Sequence, residues 1–139
     1  MKQMKLRFTV AAAVAACSVV AFAQDVQVVK IGHVAPMSGA QSHYGKDNAN
    51  GSMMAIEDLN TQNIVIGGKK IKFELQAEDD AADPKQGTAV AQKLCDSKVA
   101  GVVGHLNSGT TIPASKIYND CGKLSCSLAW SGWGWWQRR

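Results

Sequence analysis

Hydroxyl, amide and imidazole side chains are concentrated in residues 104–111, GHLNSGTT, where they could take part in catalysis or in anion binding. Ser108 lacks the G-x-S-x-G frame of a serine nucleophile, and His105, at the end of a predicted strand, is not assigned as its base. The glycines lack the G-x-x-x-x-G-K-[ST] order of a phosphate-binding loop. The segment therefore predicts neither an enzyme active site nor a nucleotide site.

Metal binding is not predicted either. The histidines lack the spacing of a zinc site, with each other and with the cysteines. They are His33, His43 and His105. Residues 79–83, DDAAD, lack the order and the closing glutamate of an EF-hand loop. We interpret this segment as a solvated loop in which Asp83 precedes Pro84 at a helix start, and we expect no metal or other cofactor.

These side chains must be positioned by regular elements, and strand and helix patterns alternate along the chain. The predicted elements are a strand at 26–35, a helix at 46–60, a strand at 70–78, a helix containing 87–94, a strand at 99–104 and a helix at 111–122, with Pro113 in the first turn of the last helix and Gly122 at its end. The order predicts an α/β fold with an incomplete Rossmann-like parallel sheet, β-α-β-α-β-α, and no strand is predicted after Gly122.

In this arrangement Ser108 lies at a strand-to-helix turn. Asn107 or Ser108 could simply cap the helix by accepting hydrogen bonds from its free N–H groups. The same N–H groups, with a serine hydroxyl, could instead bind a small carboxylate, since ligands of open α/β sheets lie at the carboxyl ends of the strands. The residues by themselves leave both interpretations open.

The first 23 residues have the pattern of a cleaved secretory signal peptide. Lys2, Lys5 and Arg7 precede a short apolar stretch that ends in Ala21-Phe22-Ala23. A lipoprotein site at Cys17 is the alternative. Both patterns predict export, and we expect the mature chain to lie in the periplasm.

The last residues, 123–139, differ sharply in composition from the rest. All four tryptophans lie in this segment, which shows neither helical nor strand periodicity. Our hypothesis is that the segment is aberrant or frameshifted sequence, and the alternative is a tail that binds a partner or a membrane surface.

Residues 24–122 hold nine basic and eleven acidic side chains, so the overall charge of +4 comes from the two ends and does not predict nucleic-acid binding.

Two cysteines of the predicted domain lie near the ends of successive helices. A Cys95–Cys121 disulfide is plausible in an oxidising compartment, and two buried thiols are the alternative. Cys126 is left over in the C-terminal segment.

Three stretches together resemble the periplasmic substrate-binding proteins of branched-chain amino acid ABC transporters. They are the IGHVAPMSG opening, DDAADP and GHLNSGTTIPAS, and the resemblance runs over 26–122. It implies two Rossmann-like lobes with an amino acid of the Leu/Ile/Val type between them, and a transporter permease as partner. This chain would hold only the first part of lobe 1 and would bind ligand poorly.

The resemblance also implies roles for single residues. Ser108 would bind the ligand carboxylate, Leu106 and Asn107 would line the same wall, and Tyr44 would pack near the aliphatic side chain. A disulfide of some relatives falls here on Ala82 and Asn107 and is absent. The alternatives are a sensing relative, a relative that binds amides, urea or aromatic acids, and a small secreted interaction module that uses the Trp-rich tail.

Overall fold

The computed structural model describes residues 25–127. The strands are β1 (Val26–Ala35), β2 (Val65–Ile66), β3 (Lys69–Asp79), β4 (Gly101–Gly104) and β5 (Leu124–Cys126), and the α-helices are α1 (Ser42–Thr61), α2 (Pro84–Asp96) and α3 (Ser108–Asp120). A short 3-10 turn, Gly39–Gln41, precedes α1. The predicted signal peptide and the Trp-containing residues 128–139 lie outside this range. No helix within it is long and apolar enough to cross a membrane.

The sheet has the strand order β2-β3-β1-β4-β5. Strand β1 pairs in parallel with β3 and β4, and β4 pairs in parallel with β5. Only the two-residue β2 is antiparallel, to β3, across a turn at Gly67 and Gly68. The predicted α/β class with a mainly parallel sheet is confirmed, and the short β2 was missed because two residues show no alternation.

The prediction that no strand follows Gly122 is wrong. Gly122 adopts a φ of +68°, and the Lys123 N–H donates to the Tyr118 carbonyl at 2.8 Å, which closes the C-terminus of α3 and turns the chain back toward the sheet. Leu124 then pairs with Gly101 in the register of β5. Three residues are too few for a strand pattern to be visible in the sequence, and the sheet therefore continues into the segment that we interpreted as aberrant.

Two helices also begin earlier than predicted. Helix α1 starts at Ser42 rather than at 46, and α3 starts at Ser108 rather than at 111. Pro113 consequently lies inside α3 and not in its first turn. The start of α2 is as predicted, because the Asp83 carboxylate accepts hydrogen bonds from the Lys85 and Gln86 N–H groups at 3.2 and 3.4 Å.

The main core lies between one face of the sheet and helices α2 and α3. Its buried members are Val34, Val90, Ala91, Leu94, Cys95, Val99, Val102, Ala114 and Tyr118. A disulfide joins Cys95 of α2 to Cys121 at the end of α3, at a sequence separation of 26. Cys126 is exposed and free. Helix α1 covers β1 and β3 on the other face of the sheet.

His33, on the α1 face of β1, is fully buried. Its Nδ1 lies 3.3 Å from Ser52 Oγ, and its Nε2 has no hydrogen-bond partner within residues 25–127. Burial lowers the pKa of His33 below its ordinary value of 6.5, outweighing nearby groups that raise it. The native imidazole therefore stays neutral at a pH at which the unfolded chain already takes up a proton.

This pKa shift predicts acid sensitivity. The stability contributed by neutral His33 is fully present above pH ~6.5 and is lost as the pH falls below that value, with a slope of up to about 1.4 kcal/mol per pH unit. The measurement is the free energy of unfolding between pH 7 and pH 5. His33→Leu should flatten this dependence, whereas His43→Gln, at an exposed position of α1, should keep it. Equal slopes in wild type and His33→Leu would refute the assignment.

Candidate functional site

The carboxyl ends of β1, β3 and β4 meet at one edge of the sheet because these strands run parallel. The segments that follow them, 36–41, 80–83 and 105–107, therefore lie together at this edge. The first is held by the end of β3, since the Met37 N–H donates to Asp79 Oδ1 at 2.8 Å. Although burial raises the pKa of Asp79, hydrogen bonds from Ser38, Ala81 and Met37 lower it overall, so this carboxylate stays ionised.

The N-terminus of α3 opens at this edge with free hydrogen-bond donors. Asn107 occupies the N-cap position, but its side chain makes no capping bond. Its carbonyl accepts from the Thr110 and Thr111 N–H groups at 3.2 and 2.9 Å. Within the described residues, the N–H groups of Ser108 and Gly109 have no acceptor, and the Ser108 side chain is exposed. A side-chain cap would accept hydrogen bonds from N–H groups at the start of α3, and without one these donors can bind an external acceptor.

The Asn107 side chain instead joins two loops. Its Nδ2 donates to Gln41 Oε1 at 2.7 Å, across 66 residues of sequence. This bond ties the turn before α3 to the turn before α1. The capping role that we considered for Asn107 is thus taken only by its backbone.

The other residues implied by the resemblance lie beside this turn or at the start of α1. Leu106 is half-buried, directly before Asn107. Tyr44 lies in the first turn of α1 and is 57% exposed, with its ring 3.9 Å from that of His43. Ser108, Asn107 and Leu106 are contiguous, and Gln41, three residues before Tyr44, connects them to the start of α1.

A buried polar cluster lies beneath the turn. Asp80 Oδ2 is 2.8 Å from His105 Nδ1, and His105 Nε2 is 3.1 Å from the Tyr118 hydroxyl. Asp80, His105 and Thr110 are all fully buried, and Tyr118 is nearly so. The interpretation of residues 79–83 as a solvated loop is therefore wrong for Asp80, which points inward because His105 offers it a partner in the core.

The charges in this cluster follow from its contacts. Burial by itself raises the pKa of Asp80, but the hydrogen bonds from His105, Ala82 and Thr110 lower it below its ordinary value. Burial and the nearby Asp80 carboxylate raise the pKa of Tyr118, so its hydroxyl keeps its proton. Since an ionised carboxylate can only accept, His105 Nδ1 carries the proton that is donated to Asp80.

The groups exposed at this edge are ones that can hold an anion. The imidazole of His105 is enclosed, so it cannot reach a substrate. Within residues 25–127, no three or more histidine, cysteine, aspartate or glutamate side chains are grouped so that they could hold a metal ion. A depression of about 340 Å³ lies at the opposite edge of the sheet, beside Val28, Lys30 and Lys98, away from Ser108. The N-terminus of α3 presents free N–H groups, a partial positive charge and an exposed hydroxyl.

Sequence reasoning did not identify Gln41 or the pairing of Asp80 with His105. Gln41 gives no sequence signal, because it lies in a loop and its partner is distant. The pairing of Asp80 with His105 could not be read from the sequence, because the two residues follow different strands and come together only when those strands are placed in the sheet. The sequence signal that could have indicated this pairing is that an acid and an imidazole, Asp80 and His105, each follow the end of a predicted strand.

Comparisons with known proteins agree with this architecture. Residues 28–138 match the family described as periplasmic binding protein. The Leu/Ile/Val-binding protein of Citrobacter freundii is 41% identical over 109 residues, which are 78% of this chain and 28% of that protein. The chain thus spans less than a third of the length of this curated relative.

Solved structures show the same fold. The substrate binding protein of a branched-chain amino acid transporter from Streptococcus pneumoniae, in complex with isoleucine, superposes with a TM-score of 0.67 at 28% identity, covering 74% of this chain and 29% of that one. A solute binding protein from Rhodopseudomonas palustris, in complex with 3,4-dihydroxybenzoic acid, gives a TM-score of 0.61 at 27% identity, covering 73% and 27%. With the parallel sheet and the open helix N-terminus at its edge, these matches show that the chain belongs to the periplasmic binding protein family.

Proposed function

We propose that the described residues form one wall of a binding site for a branched-chain amino acid, within an extracytoplasmic solute-binding component of an ABC transporter. The observation that carries the proposal is the open N-terminus of α3. The Asn107 side chain is engaged with Gln41, so the N–H groups of Ser108 and Gly109 are free to donate hydrogen bonds to a carboxylate.

The similar proteins support the ligand class. The Citrobacter freundii relative is named as a Leu/Ile/Val-binding protein, and the Streptococcus pneumoniae structure contains isoleucine. A carboxylate held by Ser108, with half-buried Leu106 beside the same turn and Tyr44 at the start of α1, suits a zwitterion with an aliphatic side chain. Export by the predicted signal peptide and delivery of ligand to a permease belong to the same proposal.

The wall formed by residues 25–127 should bind such a ligand weakly. Ser108 and Gly109 are exposed, so the wall contacts a ligand from one side only. Enclosure excludes water and adds apolar contact, and both strengthen binding. We therefore expect millimolar rather than micromolar affinity.

The test is a leucine titration of the full 139-residue chain, followed by ¹H–¹⁵N NMR. Leucine should shift the amide resonances of Ser108 and Gly109, and Ser108→Ala should weaken binding by roughly tenfold, the effect of one lost hydrogen bond to a charged group. Ser115→Ala is the matched control, because Ser115 lies on the same helix and bonds only the Ile112 carbonyl among the described residues. If leucine changes the chemical shifts of other amides but not those of Ser108 and Gly109, the proposal is disproved.

A second candidate ligand is an aromatic acid. The Rhodopseudomonas palustris structure that shares this fold contains 3,4-dihydroxybenzoic acid, whose carboxylate could occupy the same helix N-terminus. The same titration with 3,4-dihydroxybenzoate distinguishes the two. Tighter binding of the aromatic acid than of leucine at Ser108 would favour this candidate.

A further inference from the structure

We propose that Asp80 and His105 are positioning residues for the Ser108 wall. Asp80 acts through the buried His105 imidazole to hold the 105–107 turn in the conformation that presents the Ser108 and Gly109 N–H groups outward. This inference rests on the proposed function, because it concerns the same site.

Asp80 is itself fixed by the sheet. Its N–H donates to the carbonyl of Ala35 at the end of β1 at 3.3 Å. Its carbonyl and its Oδ1 accept from the Asp83 and Ala82 N–H groups at 2.8 and 3.0 Å. The carboxylate therefore has a defined place relative to β1 and the start of α2.

The His105 imidazole is held at both ends. Nδ1–H donates to Asp80 Oδ2 at 2.8 Å, and Nε2 lies 3.1 Å from the Tyr118 hydroxyl, which keeps its proton and can donate it. The ring is thus fixed in orientation and tautomer. Because His105 directly follows β4, fixing its ring also fixes the direction in which the chain leaves the strand.

A second route links the cluster to the turn through Thr110. Its hydroxyl has a single proton, which it donates to the Asn107 carbonyl at 2.9 Å or, alternatively, to the Asp80 carboxylate. The Asn107 carbonyl is the atom that starts the hydrogen bonding of α3. Both routes from Asp80 therefore end at the residue directly before Ser108.

Helix α2 packs closely against this cluster. Gly87 of α2 lies against the cluster, and a Cβ at this position would be 3.2 Å from Thr110 Cβ and 3.5 Å from His105 Cε1. Any larger residue at position 87 would therefore press on Thr110 and contact the imidazole. A neutral side chain at position 80 would be a weaker acceptor for the His105 N–H, and a differently shaped one would not reach it.

The test compares Asp80→Asn with Asp83→Asn in the full chain. Asp80→Asn keeps the shape and removes the charge, whereas Asp83→Asn changes an exposed carboxylate three residues away. For Asp80→Asn we expect altered ¹⁵N shifts of the His105 ring, shifted Ser108 and Gly109 amides without ligand, and leucine affinity weaker on the order of tenfold. Asp83→Asn should leave all three within error.

A double-mutant cycle distinguishes positioning from general damage to the fold. If Asp80 acts through His105, the losses of leucine affinity in Asp80→Asn and His105→Gln should not add in the double variant. Additive losses would overturn the proposal. Should Asp80→Asn fail to fold, Tyr118→Phe removes only the hydroxyl at the other end of the ring, and it should still shift the Ser108 amide. An unchanged Ser108 amide in Tyr118→Phe would equally overturn it.

The two proposals fail in different ways. If leucine does not shift Ser108 in the wild-type chain, the binding function fails, although the ligand-free shifts can still show the coupling of Asp80 to the turn. If the leucine titration moves the Ser108 amide resonance equally, and with equal affinity, in wild type and Asp80→Asn, the binding function stands and the positioning role fails.

Discussion

Replacing Gly45 with alanine is expected to destabilise the fold by about 4 kcal/mol or more, the range of exceptional single substitutions. Gly45 lies in the first part of α1, and a Cβ there would overlap the carbonyl oxygen and carbon of Pro36. Both are backbone atoms, which cannot rotate away as a side chain could. Either α1 or the loop after β1 must move, and this loop carries Gln41.

Chemical denaturation measures the effect, with Gly51→Ala as the matched control. Gly51 lies in the same helix, and an added Cβ would meet nothing within 4 Å. In that exposed helical position alanine should stabilise by up to about 1 kcal/mol. The same substitution is thus expected to have opposite signs at two positions six residues apart. A stabilising or neutral Gly45→Ala would show that the close approach of α1 to Pro36 is wrong.

Loss of the disulfide has the second largest expected effect. The double variant Cys95→Ser/Cys121→Ser should lower the free energy of unfolding by roughly 3–4 kcal/mol, since the bond closes a loop of 26 residues. The bridge also connects α2 to the end of α3, directly before β5. Equilibrium denaturation of the oxidised chain and of the variant gives the difference.

Cys126→Ser is the control for this experiment. Cys126 is exposed and unbridged, so its replacement should leave the free energy of unfolding unchanged. Reduction of the wild-type chain should reproduce the double variant. If reduction leaves the free energy of unfolding unchanged, the disulfide between the two cysteines does not stabilise the fold.

Both predictions bear on the candidate site as well as on the fold. The loop that follows Pro36 supplies Gln41, the partner of Asn107, and α3 carries Ser108 at one end and the bridged Cys121 near the other. The binding wall therefore depends on contacts at some distance from it. Affinity for leucine should fall together with stability in Gly45→Ala, because the loop moves with the helix.

Much of the architecture could be predicted from local sequence. The β-branched run 26–35 is the observed β1, and the alternation of 70–78 lies within β3. Asp83 caps α2 and Gly122 terminates α3, as their residue types indicate. These features depend on neighbours a few residues apart, so the pattern of types along the chain is enough to reveal them.

The site itself was only partly visible in the sequence. Its position followed from the rule that parallel strands bring their carboxyl ends to one edge, and the resemblance pointed to Ser108. Its supporting contacts did not follow, since Asp80 reaches His105 over 25 residues and Asn107 reaches Gln41 over 66. Residue types at such separations carry no periodic signal.

The sequence by itself therefore determined the alternation of β1, β3 and β4 with the three α-helices, the helix boundaries at Asp83 and Gly122, and the strand-to-helix turn that carries Ser108. The tertiary structure alone decided that Asp80 is buried, that the Asn107 side chain leaves its cap to bind Gln41, and that three residues after Gly122 join the sheet as β5. The physical reason is that burial and long-range hydrogen bonding depend on which surfaces face each other after folding, whereas helix and strand patterns depend on spacing along the chain.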